Sequence, residues 1–171
     1  MAAAGCVGGP DEQSVHRSEA EFNLAVGLME EHNFAAAFQH LDEATHLDPD
    51  NAEAHYLRGL IQKEQSERNA ATSSFKRAVE LRPDMVEARV ELASFFLEAG
   101  NSVEALPQLE AALRFDPGHV LANLMVGDCY RLQGRFAEAR QRFDWVVQKD
   151  QALPQVHYDL GLLYLFAPSL A

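Results

Sequence analysis

Residues 86–119, VEARVELASFFLEAGNSVEALPQLEAALRFDPGH, hold two runs of apolar residues at helical spacing, interrupted by Ala99-Gly100-Asn101 and closed by Asp116-Pro117. Apolar residues three and four apart place one side of a helix against a core. Gly or Asn at the interruption can take the left-handed conformation that ends a helix. Pro117 stops the second run, because proline lacks the backbone N–H that the next turn needs. The stretch reads as two short amphipathic helices of about 12 to 14 residues, joined by a tight turn.

Working outward, the same signals return at a fixed step. Asp48-Pro49, Arg82-Pro83 and Asp116-Pro117 follow Leu47, Leu81 and Phe115, each thirty-four residues after the last. In that register lie Ala37, Ala71, Ala105 and Ala139, then Leu41, Phe75, Leu109 and Phe143, then Ala44, Ala78, Ala112 and Val146. An earlier ladder runs Ala25, Gly59, Ala93, Gly127 and Gly161, so four full units are followed by the first helix of a fifth. Small residues at fixed points let neighbouring helices approach closely, and the Leu and Phe positions fill the remaining gaps.

The period and its small, small, aromatic or Leu, small, Pro order resemble the tetratricopeptide repeat family over roughly residues 18 to 167. The resemblance implies an all-α fold, a right-handed α-solenoid of helix-turn-helix repeats. It places repeats at 18–51, 52–85, 86–119 and 120–153 and a fifth first helix at 154–171; residues 1–17, small, polar and Gly-rich without apolar periodicity, read instead as a flexible lead. Four departures stand out. Arg58 and Gln62 replace the usual apolar and aromatic residues and predict a looser seam in the second repeat. Gln151 stands where a fourth proline is expected. Pro107 lies inside a second helix, tolerable if that helix starts near Ser102 or Val103 so that only an early backbone bond is lost.

Composition bounds the function. With 47% hydrophobic and 23% charged residues in 171, the chain can bury a core. A net charge of −12 works against nucleic acid, where clustered Lys and Arg must release counterions. The expected partner is a protein or peptide. Two cysteines, Cys6 and Cys129, form no disulfide framework and show no metal spacing. No run reaches the roughly 18 apolar residues of a membrane span. The default location is cytoplasmic. The alternative is an envelope lipoprotein, since Ala3-Ala4-Gly5-Cys6 is similar to the end of a bacterial lipoprotein signal; it needs an apolar leader segment upstream. The end, LGLLYLFAPSLA, places Leu163, Leu165 and Phe166 on a helix without a sequence partner, so it covers the fourth repeat or offers a face for a homodimer or a missing continuation.

The resemblance implies that first helices line a concave groove. Carried over unit by unit, it places there Phe22, Val26, Met29, Tyr56, Leu60, Lys63, Val90, Leu97, Leu124, Asp128, Arg131 and Tyr158. That surface suits a helical or extended segment with apolar anchors and basic residues; the Phe22, Tyr56 and Tyr158 stripe also reads as packing between repeats. Glu19, Glu21, Glu30 and Glu31 form an acidic patch in a first repeat that holds eight acids and no Lys or Arg over 18–51. It reads as a solvated end-piece or as a docking patch for a basic partner. The Lys, Asn and Arg clamp of chaperone-tail binders is absent at Phe22, Val26, Leu57, Glu87 and Glu91. The Asn ladder of glycosyltransferase-associated arrays is absent too, its line reading Asn23, Leu57, Glu91, Met125 and Asp159. The histidines are scattered, with His40 and His46 six apart and off one helix face, and no catalytic, cofactor or metal residues are expected. Cys129, inside a helix, reads as a buried filler. The expected function is a scaffold or adaptor. The alternatives are a lipoprotein assisting a pilus, motility or secretion complex, and a regulatory piece of a larger enzyme.

Overall fold

A computed structural model describes residues 11–150 and 153–167. The readings of Cys6 and Gln151 lie outside these residues. Every regular element among them is an α-helix: α1 (Glu12–Glu30), α2 (Phe34–Leu47), α3 (Ala52–Glu64), α4 (Arg68–Leu81), α5 (Val86–Glu98), α6 (Ser102–Phe115), α7 (Val120–Leu132), α8 (Phe136–Lys149) and α9 (Pro154–Phe166). Helices α3, α5 and α7 begin thirty-four residues apart, and so do α4, α6 and α8. The chain divides into two compact units, Met1–Pro83 and Asp84–Ala171.

In the first unit α1 packs on α2, α2 on α3 and α3 on α4. Its core holds Ala25, Ala37, Leu41, Ala44, Ala54 and Ile61, with Phe22, Leu28 and Phe38 against them. In the second unit α5 to α9 pack each on the next, and α7 also meets α5 and α9. Two clusters fill that unit, one around Ala93, Leu109 and Val126, the other around Leu124, Phe143, Val156 and Leu163. The small-residue ladder has a direct purpose here. A Cβ on Gly59 would sit 2.6 Å from the Phe75 ring, and one on Gly127 would sit 2.3 Å from Phe143, so each ring occupies the space a side chain would need.

The turns between paired helices repeat one backbone device. The residues at 32, 66, 100 and 134 all have positive φ, as His32 (58°), Ser66 (62°), Gly100 (73°) and Gly134 (73°). Each of the next residues donates its N–H back across the turn: Asn33 to Leu28, Glu67 to Gln62, Asn101 to Phe96 and Arg135 to Tyr130, all at 2.8 Å. These bonds satisfy carbonyls that a helix end leaves open.

Two expectations need correction. The lead is not irregular throughout: α1 starts at Glu12, and Asp11 caps it by accepting from the Ser14 N–H at 2.7 Å. Residues 12–17 lack an apolar stripe yet extend a helix whose next turn is anchored by buried Ser18, which donates to the Ala44 carbonyl at 2.9 Å. The second repeat is not a loose seam. Gln62 is buried and accepts from the Ser74 hydroxyl at 2.7 Å, tying α3 to α4. Arg58 lies over the Phe38 ring and pairs with Asp42 at 3.0 Å, tying α3 to α2. Pro107 sits inside α6, which begins at Ser102 and continues through it to Phe115.

Candidate protein-binding surfaces

The left-handed turn at His32 folds α2 back on α1 and brings Phe34 beside the end of α1. There Met29, Phe34, Leu60, Ile61, Lys63 and Glu64 line a cavity of about 210 Å³. Met29, Leu60 and Lys63, three of the residues expected in the groove, therefore meet in one place. Four of the lining residues are apolar, and Lys63 and Glu64 add opposite charges. Phe34 was not singled out in the sequence, although its place directly after the Asn33 cap, whose side chain accepts from Ala36, marks it as the first residue of α2.

Other expected groove residues of this unit turn inward. Phe22 packs against the core cluster, and the Tyr56 ring lies 5.9 Å from that of Phe75. Val26 is half-buried. In the second unit Val90 and Leu124 are only 6% and 3% exposed and belong to the two core clusters, a correction to their placement on an open surface. The cause is position along the helix: this ladder faces the second helix of its own repeat, so an apolar residue there is covered. Leu97 is half-buried against the same core.

Asp128 and Arg131 remain partly open and pair, with Nη2 and Nε of Arg131 donating to Asp128 Oδ1 at 2.8 and 3.2 Å. Asp159 of α9 lies buried nearby, and Gln155 Nε2 donates to both of its carboxylate oxygens at 3.0 and 3.2 Å. Burial pushes both acids above the usual carboxylate range, and the Asp128 charge adds to the rise at Asp159, while Arg131 pulls both down. Tyr158, one residue before Asp159, is 64% exposed.

The acidic patch is partly met by histidines. Glu21 Oε2 lies 2.6 Å from His40 Nδ1, and Glu19 Oε2 lies 3.3 Å from His16 Nδ1; Glu30 and Glu31 are exposed at the end of α1. Other acids of the first repeat are met by arginines outside 18–51: Asp42 by Arg58, Glu43 by Arg17 and Asp50 by Arg77. The patch is thus narrower than the count of acids implies.

Cys129 is fully buried, and burial together with Asp128 and Glu110 pushes its thiol up to about 12, so it stays protonated near neutrality. His55 is pushed below its usual value by burial first. Among the described residues no group of three or more His, Cys, Asp or Glu is arranged to hold a metal ion, and no helix is long and apolar enough to cross a membrane.

Comparison with known proteins places these surfaces in context. Family models described as tetratricopeptide repeat match residues 96–162 and 62–120, and one described as TPR repeat matches 28–66. The chain is similar to the human Protein O-mannosyl-transferase TMTC3, 25% identical over 118 residues that make up 68% of this chain. It spans 13% of that relative's length. Among solved structures it is similar to YrrB, a TPR protein with an unusual peptide-binding site, at a TM-score of 0.78 and 23% identity over 85% of this chain and 75% of that one. It is also similar to PilW, a type IV pilus biogenesis factor, at a TM-score of 0.72 and 24% identity over 90% of this chain and 71% of that one.

Proposed function

The chain belongs to the tetratricopeptide repeat family, and from that premise we propose that it is a non-catalytic scaffold or adaptor that holds a segment of another protein. The fold supports a protein-interaction scaffold. The observation that carries the finer reading is the cavity of Met29, Phe34, Leu60 and Ile61, an apolar recess edged by Lys63 and Glu64. Such a recess takes one apolar side chain of a helical or extended segment, while the edge charges orient its neighbours. The acidic residues at the end of α1, Glu30 and Glu31, favour a segment that carries basic residues. With a net charge of −12 the chain is a poor ligand for a phosphate backbone, so nucleic acid is not the partner.

The test is a pull-down from the source cell with wild-type chain and with Leu60→Ala and Met29→Ala, each checked for unchanged circular dichroism. The expected result is recovery of the same partner by wild type and its loss from both variants. Equal recovery by all three would sink the assignment of the recess.

A second reading, a segment of a larger enzyme, is favoured by one observation: TMTC3, a mannosyl-transferase by name, is about eight times longer than the stretch this chain matches (13% of its length). In that setting the repeats would position a protein substrate or partner for chemistry performed elsewhere. A third, assistance to a pilus complex, draws on the pilus role printed for PilW and would require a lipid on Cys6. Mass spectrometry of the protein purified from its source separates them: a larger mass containing this sequence supports the second, a diacylglyceryl adduct on Cys6 the third.

A further inference from the structure

The acids of the first unit fall into two groups. Asp42, Glu43, Asp50 and Glu53 each pair with an arginine. Glu30, Glu31 and Glu64 are exposed, and among the described residues none of the three has an ion pair or a side-chain hydrogen bond. Their places coincide with the recess. Glu64 lines it together with Met29 and Leu60, and Glu30 and Glu31 directly follow Met29. They also coincide with helix ends, since Glu30 is the last residue of α1 and Glu64 the last of α3. The C-terminus of a helix is the negative end of its summed peptide dipoles, where Lys or Arg is favoured and a carboxylate is repelled. Helix α1 has no basic residue in its last turn and takes Glu31 as its cap. These acids therefore weaken the helices that bear them, and local stability gives no reason for them. Of the six lining residues Lys63 alone is cationic, which leaves three carboxylates against one ammonium. A metal ion does not account for them, because among the described residues no group of three or more His, Cys, Asp or Glu is arranged to hold one.

We infer that the occupant of the recess is a partner segment in which one large apolar side chain is flanked by Lys or Arg, and that Glu30, Glu31 and Glu64 serve to recognise those cations. The inference rests on the recess reading and adds the chemistry that selects the occupant. An apolar recess alone accepts many segments. Carboxylates beside it speed the encounter with a basic segment and reject an acidic one by like-charge repulsion. They come from two helices, α1 and α3, so cations on both sides of the anchor find a counter-charge. Because the three are exposed, each pairing is weak and screened by salt. The apolar side chain thus supplies most of the affinity, and the cations supply the selectivity.

The probe is an arrayed library of synthetic peptides, each with a central Leu, Met, Phe or Trp and randomised neighbours, incubated with the labelled 171-residue chain. Parallel arrays receive Met29→Ala, Leu60→Ala and the pair Glu30→Gln with Glu31→Gln, each checked for unchanged circular dichroism. The expected result is capture enriched in Lys and Arg beside the anchor and lost with either apolar variant. Titration of the best basic peptide should show affinity about threefold or more weaker for the Gln pair, with the difference vanishing near about 1 M salt. The Gln pair should also raise the midpoint of thermal unfolding, since two charges leave the wrong end of a helix. Capture that needs Met29 and Leu60 but shows no basic enrichment, or equal affinity for the Gln pair, would overturn this inference and leave the recess reading standing. Capture indifferent to Met29 and Leu60, or none up to about 1 mM peptide, would remove both. A lowered unfolding midpoint in the Gln pair would show that the acids hold the fold, against their assignment to recognition.

Discussion

Gly127 and Gly161 hold the same register in consecutive first helices, yet an added methyl group would lie 2.3 Å from the Phe143 ring at the first and meet nothing at the second. One residue type thus answers to two different constraints. At Gly127 the Phe143 ring occupies the space a side chain would need, and at Gly161 that space is open among the described residues. Sequence alone treats the two as equivalent rungs of one ladder. The difference lies in whether a second-helix ring lies against the glycine among the described residues, as Phe143 does at Gly127.

The largest effect that would sharpen this contrast is Phe143→Ala. Removing a fully buried aromatic costs about 3–5 kcal/mol by lost burial and the cavity it leaves, and urea unfolding should show it, whereas Tyr158→Ala, at the exposed end of the same arrangement, should stay within about 0.5 kcal/mol. Equal costs would erase the distinction. Next in size is the glycine pair itself. Gly127→Ala forces the Phe143 ring aside, an overpacking cost of about 1–3 kcal/mol, offset in part by alanine's better helix propensity. Gly161→Ala keeps only the propensity, so it should stabilise by up to about 1 kcal/mol. Opposite signs in thermal unfolding are the expected outcome, and a gain at both positions would mean that Phe143 yields easily.

The turns give a smaller and parallel contrast. Gly134 and Ser66 occupy the same left-handed position, φ 73° and 62°, but only glycine adopts it without steric cost. Ser66→Gly should therefore stabilise by roughly 0.5–1 kcal/mol, read from the midpoint of thermal unfolding. A loss would show that the serine side chain contributes something there that its surroundings conceal.

These pairs also show what could be read before any coordinates. The period of thirty-four, the ladder glycines and the proline stops follow from local chemistry that leaves marks in the residues themselves, and α2, α4 and α6 end two residues before Pro49, Pro83 and Pro117. The turn at Ser66 left no such mark, because its conformation is imposed by the helices on either side. Nor did the true start of α1: Asp11 before Glu12-Gln13-Ser14 is a capping signal, but no apolar stripe over 12–17 accompanies it to mark a helix there. Of the residues expected in a groove, only some share one cavity. Met29, Leu60 and Lys63 do converge, while Val90 and Leu124 are consumed by packing, because a one-dimensional ladder cannot say how far each side chain swings toward the second helix of its repeat.

The smallest effect probes what α9 buries instead of what it exposes. Asp159 occupies the place that Met125 holds on α7, so a carboxylate lies where the preceding repeat packs a thioether. The groups acting on it are Asp128 and Arg131 of α7 and Gln155 of its own helix. Burial raises its folded-state pKa above the unfolded value of 3.8, with Asp128 adding to the rise. For an acid shifted upward the charged form is disfavoured in the fold, so α9 is held best below that unfolded value and loosens as pH rises through the folded-state one. Hydrogen-exchange protection of the α9 amides, corrected for intrinsic rates, should fall from pH 4 toward neutrality in the wild-type chain. Asp159→Asn should flatten most of that slope and raise protection at pH 7, leaving a residue due to Asp128, which burial shifts the same way. Protection in the Asn variant that still falls as steeply would mean that the slope comes from other groups and that Asp159 carries its charge at no cost.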